Sequence, residues 1–307
     1  MRIAAMAAGA VGGYFGARLA AAGHEVHFIA RGALLDAIRR NGLKVESLHG
    51  DLHLKDASAT SDPNEVGPVD VVLFAVKLWD TEKAAEQARP LVGPSTRVIT
   101  FQNGVDAVER IAPILGAEQT IGGSAYIASV MKEPGVISHT SPLARMVFGR
   151  IDGKPDDKVT AFAAAAKAAK LDAEATSSMD AERWKKFVFL VGVSGATASM
   201  RQPLGVIRDD PDTRAFIHQI MREVVAVGRA KGVALPEDFA DQQMKGPLQV
   251  MPATMKASLA HDLERGNRLE VDWLAGKVSA LGRELGIPTP ANDAVYVILK
   301  PHRMGRG

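Results

Sequence analysis

The chain has no cysteine among its 307 residues. Disulfides, thiolate metal sites and cysteine nucleophiles are therefore excluded, and the cytoplasm is the expected setting. Aromatic residues are scarce at 5%, so aliphatic side chains and alanine-rich helices have to do most of the packing. Neither sign of charge is in excess: 37 basic against 35 acidic side chains leave a formal net charge of +2. With no basic run either, neither nucleic acid nor an anionic membrane is an expected partner. No apolar run approaches the roughly 18 residues of a membrane span. The first residues lack the basic start and cleavage site of a secretory signal. What remains is an ordinary globular composition, 47% hydrophobic and 23% charged. Its length suits about two domains, on a prior of roughly 150 residues each.

The plainest pattern lies between Met1 and Arg31. Arg2-Ile3-Ala4-Ala5-Met6 reads as a buried parallel strand and Ala7 to Gly13 as a glycine-rich turn. Tyr14 to Ala22 then reads as a small-residue helix that Gly23 stops, and Glu25 to Ala30 as a second strand. Strand, glycine turn and helix in this order form a pyrophosphate cradle. One glycine lets backbone N–H groups approach the anion, and another lets the helix lie close to the strand. Gly9 and Gly12 have the spacing for those roles, with Ala10 and Val11 between them. The usual first glycine, in the tight turn, is Ala7 here, so A-x-G-x-x-G departs from the full dinucleotide fingerprint. Beyond the second strand a site for NAD carries an acidic residue toward the ribose hydroxyls. Arg31 stands there instead and points to NADP, because a guanidinium forks onto a 2′-phosphate that a carboxylate repels. The alternative is a solvated surface arginine.

Further on, Leu34 to Arg40 reads as a helix, and Leu43–Leu48 with Asp51–Lys55 as a hairpin or pair of edge strands. His49 and His53 read as solvated strand histidines, since no ligand framework for a metal accompanies them. Val69 to Val76 is a strong buried strand ending at Lys77, and Thr96 to Phe101 another ending at Gln102-Asn103-Gly104, with a helix from Thr81 to Ala88 between them. Ligands gather at such carboxyl ends of open parallel sheets. Gln119–Ala125, Gly135–Thr140, Arg145–Gly149 and Leu171–Thr176 read as further strands, with a helix from Pro155 to Lys170. The alternation predicts an α/β fold with a Rossmann-type doubly wound sheet. From Met179 onward the periodicity is helical. The expected division is a nucleotide-binding domain over 1–178 and an all-helical domain over 179–307.

Trp184, Phe187, Val188 and Val191 form a helical core stripe. Lys186 lies off it, sharing a face with Leu190, Ser194 and Thr197. Periodicity alone leaves it a surface lysine. The charged run from Ser258 to Asp272 reads as a solvated face with pairs such as Glu264 and Arg268, broken into two helices by Gly266-Asn267.

Taken together these segments resemble the ketopantoate reductase family over the length of the chain. The resemblance rests on the glycine turn with Arg31, on Ala75-Val76-Lys77-Leu78-Trp79 and Phe101-Gln102-Asn103-Gly104, and on Pro134-Gly135-Val136 with His139. It continues with Trp184-Lys185-Lys186-Phe187, Ser258 with Asp262, Leu269-Glu270-Val271-Asp272 and Gly286-Ile287-Pro288-Thr289-Pro290-Ala291-Asn292. It implies NADPH-dependent reduction of 2-dehydropantoate, or of a related branched 2-oxo acid, with no metal. It implies Lys186 as catalytic acid, Glu270 beside it, and substrate contacts from Lys186, Asn103, Ser258 and Ser194. Gly9, Ala10, Val11, Gly12, Arg31 and Lys77 would hold NADP(H), with Asn103 and Glu270 next to it. Family members that make pantoate carry asparagines where this chain has Leu190, Ser194 and Leu204. That departure motivates a second reading, a D-2-hydroxy acid dehydrogenase for apolar branched or aromatic substrates. Arg201 is either a replacement carboxylate ligand or a solvated arginine. With Ala7, the altered helix also motivates a third reading, a non-catalytic dinucleotide sensor. The helical half is a candidate homodimer surface, although no stripe demands one.

Overall fold

Short apolar runs alternate with helical stretches through the first half, and those at 2–6, 71–74 and 97–100 become strands buried on both faces. The computed structural model describes residues 1–306. In chain order the first half comprises β1 (Arg2–Met6), α1 (Ala10–Ala21), β2 (Glu25–Ile29), α2 (Gly32–Asn41), β3 (Leu43–Ser47), β4 (Leu52–Leu54), β5 (Ser58–Thr60), β6 (Val71–Phe74), α3 (Thr81–Ala88), β7 (Arg97–Thr100), α4 (Ala107–Leu115), β8 (Thr120–Glu133), β9 (Val136–Gly149), α5 (Asp157–Ala168) and β10 (Asp172–Ala175). The second half is helical: α6 (Met179–Met200), α7 (Leu204–Asp209), α8 (Pro211–Ala230), α9 (Phe239–Lys245), α10 (Pro247–Val250), α11 (Ser258–Arg265), α12 (Ala275–Leu285) and α13 (Pro290–Leu299). The chain divides into two compact units, Met1–Glu182 and one that begins at Arg183.

One sheet runs in the order β4-β3-β9-β8-β7-β6-β1-β2-β5, with β10 added beside β9. From β5 to β8 every pairing is parallel. The chain winds outward from β1 through β2 to β5, then crosses back to β6 and winds the other way. The expected doubly wound order is therefore present, and its switch point lies between β1 and β6. Beyond β8 the sheet becomes mixed. The three separate strands expected between Gln119 and Gly149 are instead two 14-residue strands, β8 and β9, in one antiparallel hairpin. Register shifts at Ile127/Ser129 and Met131/Glu133 interrupt the alternation of that hairpin, which is why its periodicity looks broken in the sequence.

Helix α1 starts at Ala10, four residues before the expected Tyr14, so the glycine turn itself is helical. Two glycines in a first turn are poor helix formers. Tertiary packing overrides them: α1 touches β1, β2 and β6 as well as β3, β4, β8 and β9. Gly12, Gly13, Tyr14, Phe15, Gly16, Ala17 and Leu19 are all buried, as a helix covered on all sides requires. The cores on the two faces of the sheet gather around Phe15, Phe28, Phe101 and Phe148, and around Val72, Phe74, Ala85 and Ile111.

The histidines of the first half are structural. His49 donates from Nε2 to the Pro142 carbonyl (3.0 Å), with Nδ1 3.4 Å from the Tyr14 hydroxyl. His53 reaches the Asn41 carbonyl at 2.7 Å. Both are exposed, as expected, and each also meets a backbone carbonyl of a neighbouring segment. His139 is buried at 3% exposure, its Nδ1 2.8 Å from the Ser47 hydroxyl. Burial pushes its imidazole below the usual value.

In the second half, Trp184, Phe187, Val188 and Val191 are buried along α6, and they meet the buried face of α8 through contacts such as Trp184 against Gly228. The run from Ser258 to Asp272 does not form two helices. Gly266 closes α11 in the left-handed conformation (φ +72°), and only a 3-10 turn, Val271–Trp273, precedes α12. The helix ends at Arg265, so the four-residue spacing behind a Glu264–Arg268 pair is lost; Glu264 pairs with Lys256. The Gly286–Asn292 motif joins α12 to α13. Buried Glu223, on α8, accepts from the backbone N–H of Ala291 and Asn292 and from Asn292 Nδ2 (2.9, 2.9 and 2.7 Å), and so caps α13 from another helix.

Candidate active site

The carboxyl ends of β1, β2, β6 and β7 lie on one edge of the parallel sheet, and the sequence places a polar or glycine-rich turn at each. At the first, Ala7 adopts φ +68°, a left-handed conformation that costs a non-glycine residue about 1–2 kcal/mol. This is the tight turn where glycine is usual. Two residues on, Gly9 opens α1; a Cβ built on it meets no atom within 4 Å, so its face is open. Gly12 is the opposite case. A Cβ there would lie 2.6 Å from the Ala7 carbonyl oxygen and 3.4 Å from Ala75 Cβ, so only glycine lets α1 approach β1 and β6 this closely. No side chain caps α1 and no acidic residue occupies its first turn. The N–H groups of Ala10, Val11 and Gly12 thus face outward from the positive end of the helix. An open glycine, free N–H groups and a positive helix end fit the pyrophosphate of a dinucleotide.

Arg31 is the exposed N-cap of α2, directly beyond β2. Lys77 follows β6 and is exposed, its Nζ 5.6 Å over the Trp79 ring. Asn103 follows β7 and is half-buried. These two ends are tied together by Gln102, for which the sequence suggests no role of its own. It is buried; its Nε2 donates to the Val76 carbonyl (3.1 Å) and to Thr81 Oγ1 (2.8 Å), and its Oε1 accepts from Thr100 Oγ1 (3.1 Å). The only signal in the sequence is an amide next to an apolar strand.

In the helical unit Lys186 projects from α6. It is half-buried, and desolvation of its amine lowers the pKa to about 8, against the opposing attraction of Glu270. Glu270 is itself buried, just before the 3-10 turn that leads to α12. The structure therefore brings Lys186 and Glu270 together, which helical periodicity alone could not do. Ser258 is exposed in the first turn of α11, whose start meets α6 through a 3.4 Å bond from the Ala257 N–H to Thr197 Oγ1.

The residues at the family's asparagine positions behave differently. Ser194 is buried and gives its hydroxyl proton to the Leu190 carbonyl, leaving only lone pairs for any other partner. Leu204 is fully buried at the start of α7. Arg201 follows the last residue of α6, fifteen residues after Lys186 and thus roughly 22 Å along the axis. That is too far for the carboxylate of a small 2-oxo acid whose carbonyl meets Lys186. Among the described residues, no group of three or more His, Asp or Glu side chains is placed to hold a metal. Among the described residues no helix is long and apolar enough to cross a membrane.

The family model described as ketopantoate reductase PanE/ApbA matches residues 3–153, and the model of its C-terminal region matches residues 178–303. A 2-dehydropantoate 2-reductase of Mesorhizobium japonicum is 33% identical, covering 100% of this chain and 99% of that one. The crystal structure of a PanE/ApbA family ketopantoate reductase from Ralstonia eutropha superposes with a TM-score of 0.90 at 34% identity, covering 99% and 98% of the two chains. D-mandelate dehydrogenase with NADH and anilino(oxo)acetate shares the fold, with a TM-score of 0.90 at 18% identity over 99% and 98% of the chains.

The Ala7–Gly12 contact predicts opposite effects from two small substitutions. Ala7→Gly relieves the left-handed strain and should raise stability by about 0.5–1 kcal/mol after the added freedom of the unfolded chain. Gly12→Ala forces backbone apart and should lower it by about 1–3 kcal/mol. Urea midpoints of the two variants check both signs.

Proposed function

Because the chain belongs to the ketopantoate reductase family of oxidoreductases, we propose that it reduces 2-dehydropantoate, or a closely related branched 2-oxo acid, to the 2-hydroxy acid with NADPH. The observation that carries this reading is the desolvated amine of Lys186 beside Glu270, with a pKa of about 8. Bound NADPH supplies a hydride to C2 of the keto acid. The turn from Gly9 to Gly12 would hold its pyrophosphate through the N–H groups of Ala10, Val11 and Gly12, and Lys77 would add a cation at the neighbouring strand end. Arg31 would receive the 2′-phosphate.

The ammonium of Lys186 hydrogen-bonds the keto oxygen and gives up its proton as alkoxide charge develops there. A lysine with its ordinary pKa holds that proton too tightly at neutral pH. Desolvation brings it near the working pH, where a general acid is most effective. Glu270 prevents desolvation from going further and keeps the amine charged below about pH 8. Asn103 and Ser258 supply polar contacts to the substrate, with Asn103 and Glu270 also beside the cofactor. Ser194 contributes at most a lone pair, since its proton is committed to Leu190.

The second reading, reduction of apolar branched or aromatic 2-oxo acids, draws on Leu190, which is half-buried on the face it shares with Lys186. Specificity constants for ketopantoate, 3-methyl-2-oxobutanoate and phenylglyoxylate with NADPH separate the two. The expected result is a preference for ketopantoate of about tenfold or more; an equal preference for either apolar acid establishes the second reading instead.

Two further outcomes follow from the roles assigned. The acid form of Lys186 is present below its pKa and lost above it, so kcat/KM for reduction should fall as pH rises through about 8. Lys186→Ala should lower kcat by about 10²- to 10⁴-fold and abolish that falling limb. Glu270→Gln removes the negative charge that raises the pKa and should shift the limb to lower pH. For the cofactor, Arg31→Ala should reduce the preference for NADPH over NADH by about tenfold or more, the worth of a charge-assisted bond to phosphate. An unchanged ratio of specificity constants would remove Arg31 from the site.

A further inference from the structure

The helical unit contains a cleft of about 320 Å³ remote from Lys186. Its walls include Ala198 and Arg201 at the end of α6, Leu263 and Glu264 on α11, and His302 and Arg306 in the last described turn of the chain. All of these elements belong to one compact unit.

Arg201 carries the first mark of function. Its φ is +56°, in the position after a helix where glycine or asparagine normally supplies the left-handed turn. An arginine there costs about 1–2 kcal/mol. Its side chain lines the cleft.

Arg306 faces the same space and is fixed rather than loose. Its N–H donates to the Gly266 carbonyl at 2.8 Å, and its aliphatic carbons lie 3.1–3.3 Å from where a Cβ of Gly266 would stand. Gly266 therefore serves two ends: it closes α11 at φ +72° and leaves room for the Arg306 stem. One bond earlier in the tail, the Leu269 N–H meets the Arg303 carbonyl at 2.9 Å. The acidic member of the lining, Glu264, is neutralised by Lys256 Nζ at 2.5 Å. Two exposed arginines and an exposed histidine thus share the lining with Ala198 and Leu263, and Glu264 is its one acidic residue.

We propose that this cleft binds a small organic or inorganic polyanion, bearing phosphate or carboxylate groups, through Arg201 and Arg306. Planar guanidinium forks suit both kinds of oxyanion, and the apolar floor suits a short carbon skeleton between them. Arg201 lies fifteen residues along the chain from Lys186, at the other end of α6, and the proposal stands whatever 2-oxo acid the enzyme reduces.

Titration calorimetry of the full chain at low ionic strength, with pyrophosphate and with citrate, tests it. At least one of the two should bind at one site per chain with Kd below about 1 mM; which one binds more tightly tells phosphate from carboxylate chemistry. Arg201→Gly relieves the backbone strain and keeps the fold, and it should weaken binding by about tenfold or more, as should Arg306→Gln. Lys186→Ala should leave it unchanged. Absence of binding by both anions, or binding that Arg201→Gly and Arg306→Gln do not weaken, overturns the proposal; the latter result would place the anion at the glycine turn or another cationic surface. Loss of binding in Lys186→Ala alone would place it at the reaction site and overturn it equally.

Discussion

The nucleotide end of the molecule depends on one backbone approach, that of Gly12 in α1 to the carbonyl oxygen of Ala7. A Cβ at 2.6 Å from that oxygen cannot be accommodated, so the absence of a side chain at residue 12 decides where α1 begins and how its N–H groups are aimed. The same closeness lets the sheet enclose α1 from both sides and bury Phe15 and Leu19 completely. Full burial of one such side chain contributes about 1.5–3 kcal/mol. The strain at Ala7, about 1–2 kcal/mol, is smaller than the sum of these terms. That comparison explains how the turn tolerates alanine at a position where glycine is usual.

Buried charge is used in two ways in the helical unit. Glu223 is surrounded by donors: the N–H groups of Ala291 and Asn292, the Asn292 amide and Gln219 Nε2. Its charge is matched by the positive end of α13, and a fully satisfied carboxylate of this kind is a fastener. Lys186 is matched less completely. Desolvation outweighs the attraction of Glu270, and the amine is left with a proton that it can release near neutral pH. An imbalance of this sort destabilises the charged form, as the proposed role of a general acid requires.

The strand-turn-helix start, the doubly wound order and the switch to helices near Met179 were legible in the sequence because each depends on local period and on turn residues. Other features depend on residues far apart in the chain. The long β8–β9 hairpin was read as three strands because its register shifts break the alternation on which such readings rest. Helix α1 begins in a segment of low helix propensity because strands from both ends of the sheet path cover it. Lys186 carried no distinguishing mark on its own helix: its partner, Glu270, lies eighty-four positions away in the chain. Gln102 is hidden for a similar reason, since two of its hydrogen bonds join it to Val76 and Thr81 on the preceding strand end and helix. For Arg201 the sequence leaves two readings open, a carboxylate ligand or a solvated arginine. Proximity in sequence to the lysine helix suggested a shared ligand, whereas fourteen residues of continuous helix carry it away from Lys186.

The departures on the substrate face bear on how specificity is achieved in the proposed reaction. A site that holds a substrate hydroxyl with buried amides rejects an analogue lacking it by about 10⁴-fold or more, because the amides are then left without partners. Leu190 has no hydrogen-bonding group in its side chain, Leu204 is fully packed, and Ser194 satisfies its donor within α6. With no polar group left stranded by the wrong substrate, discrimination at this face rests on shape and apolar contact, which is worth about 10- to 200-fold. Such a face tolerates a wider range of 2-oxo acids.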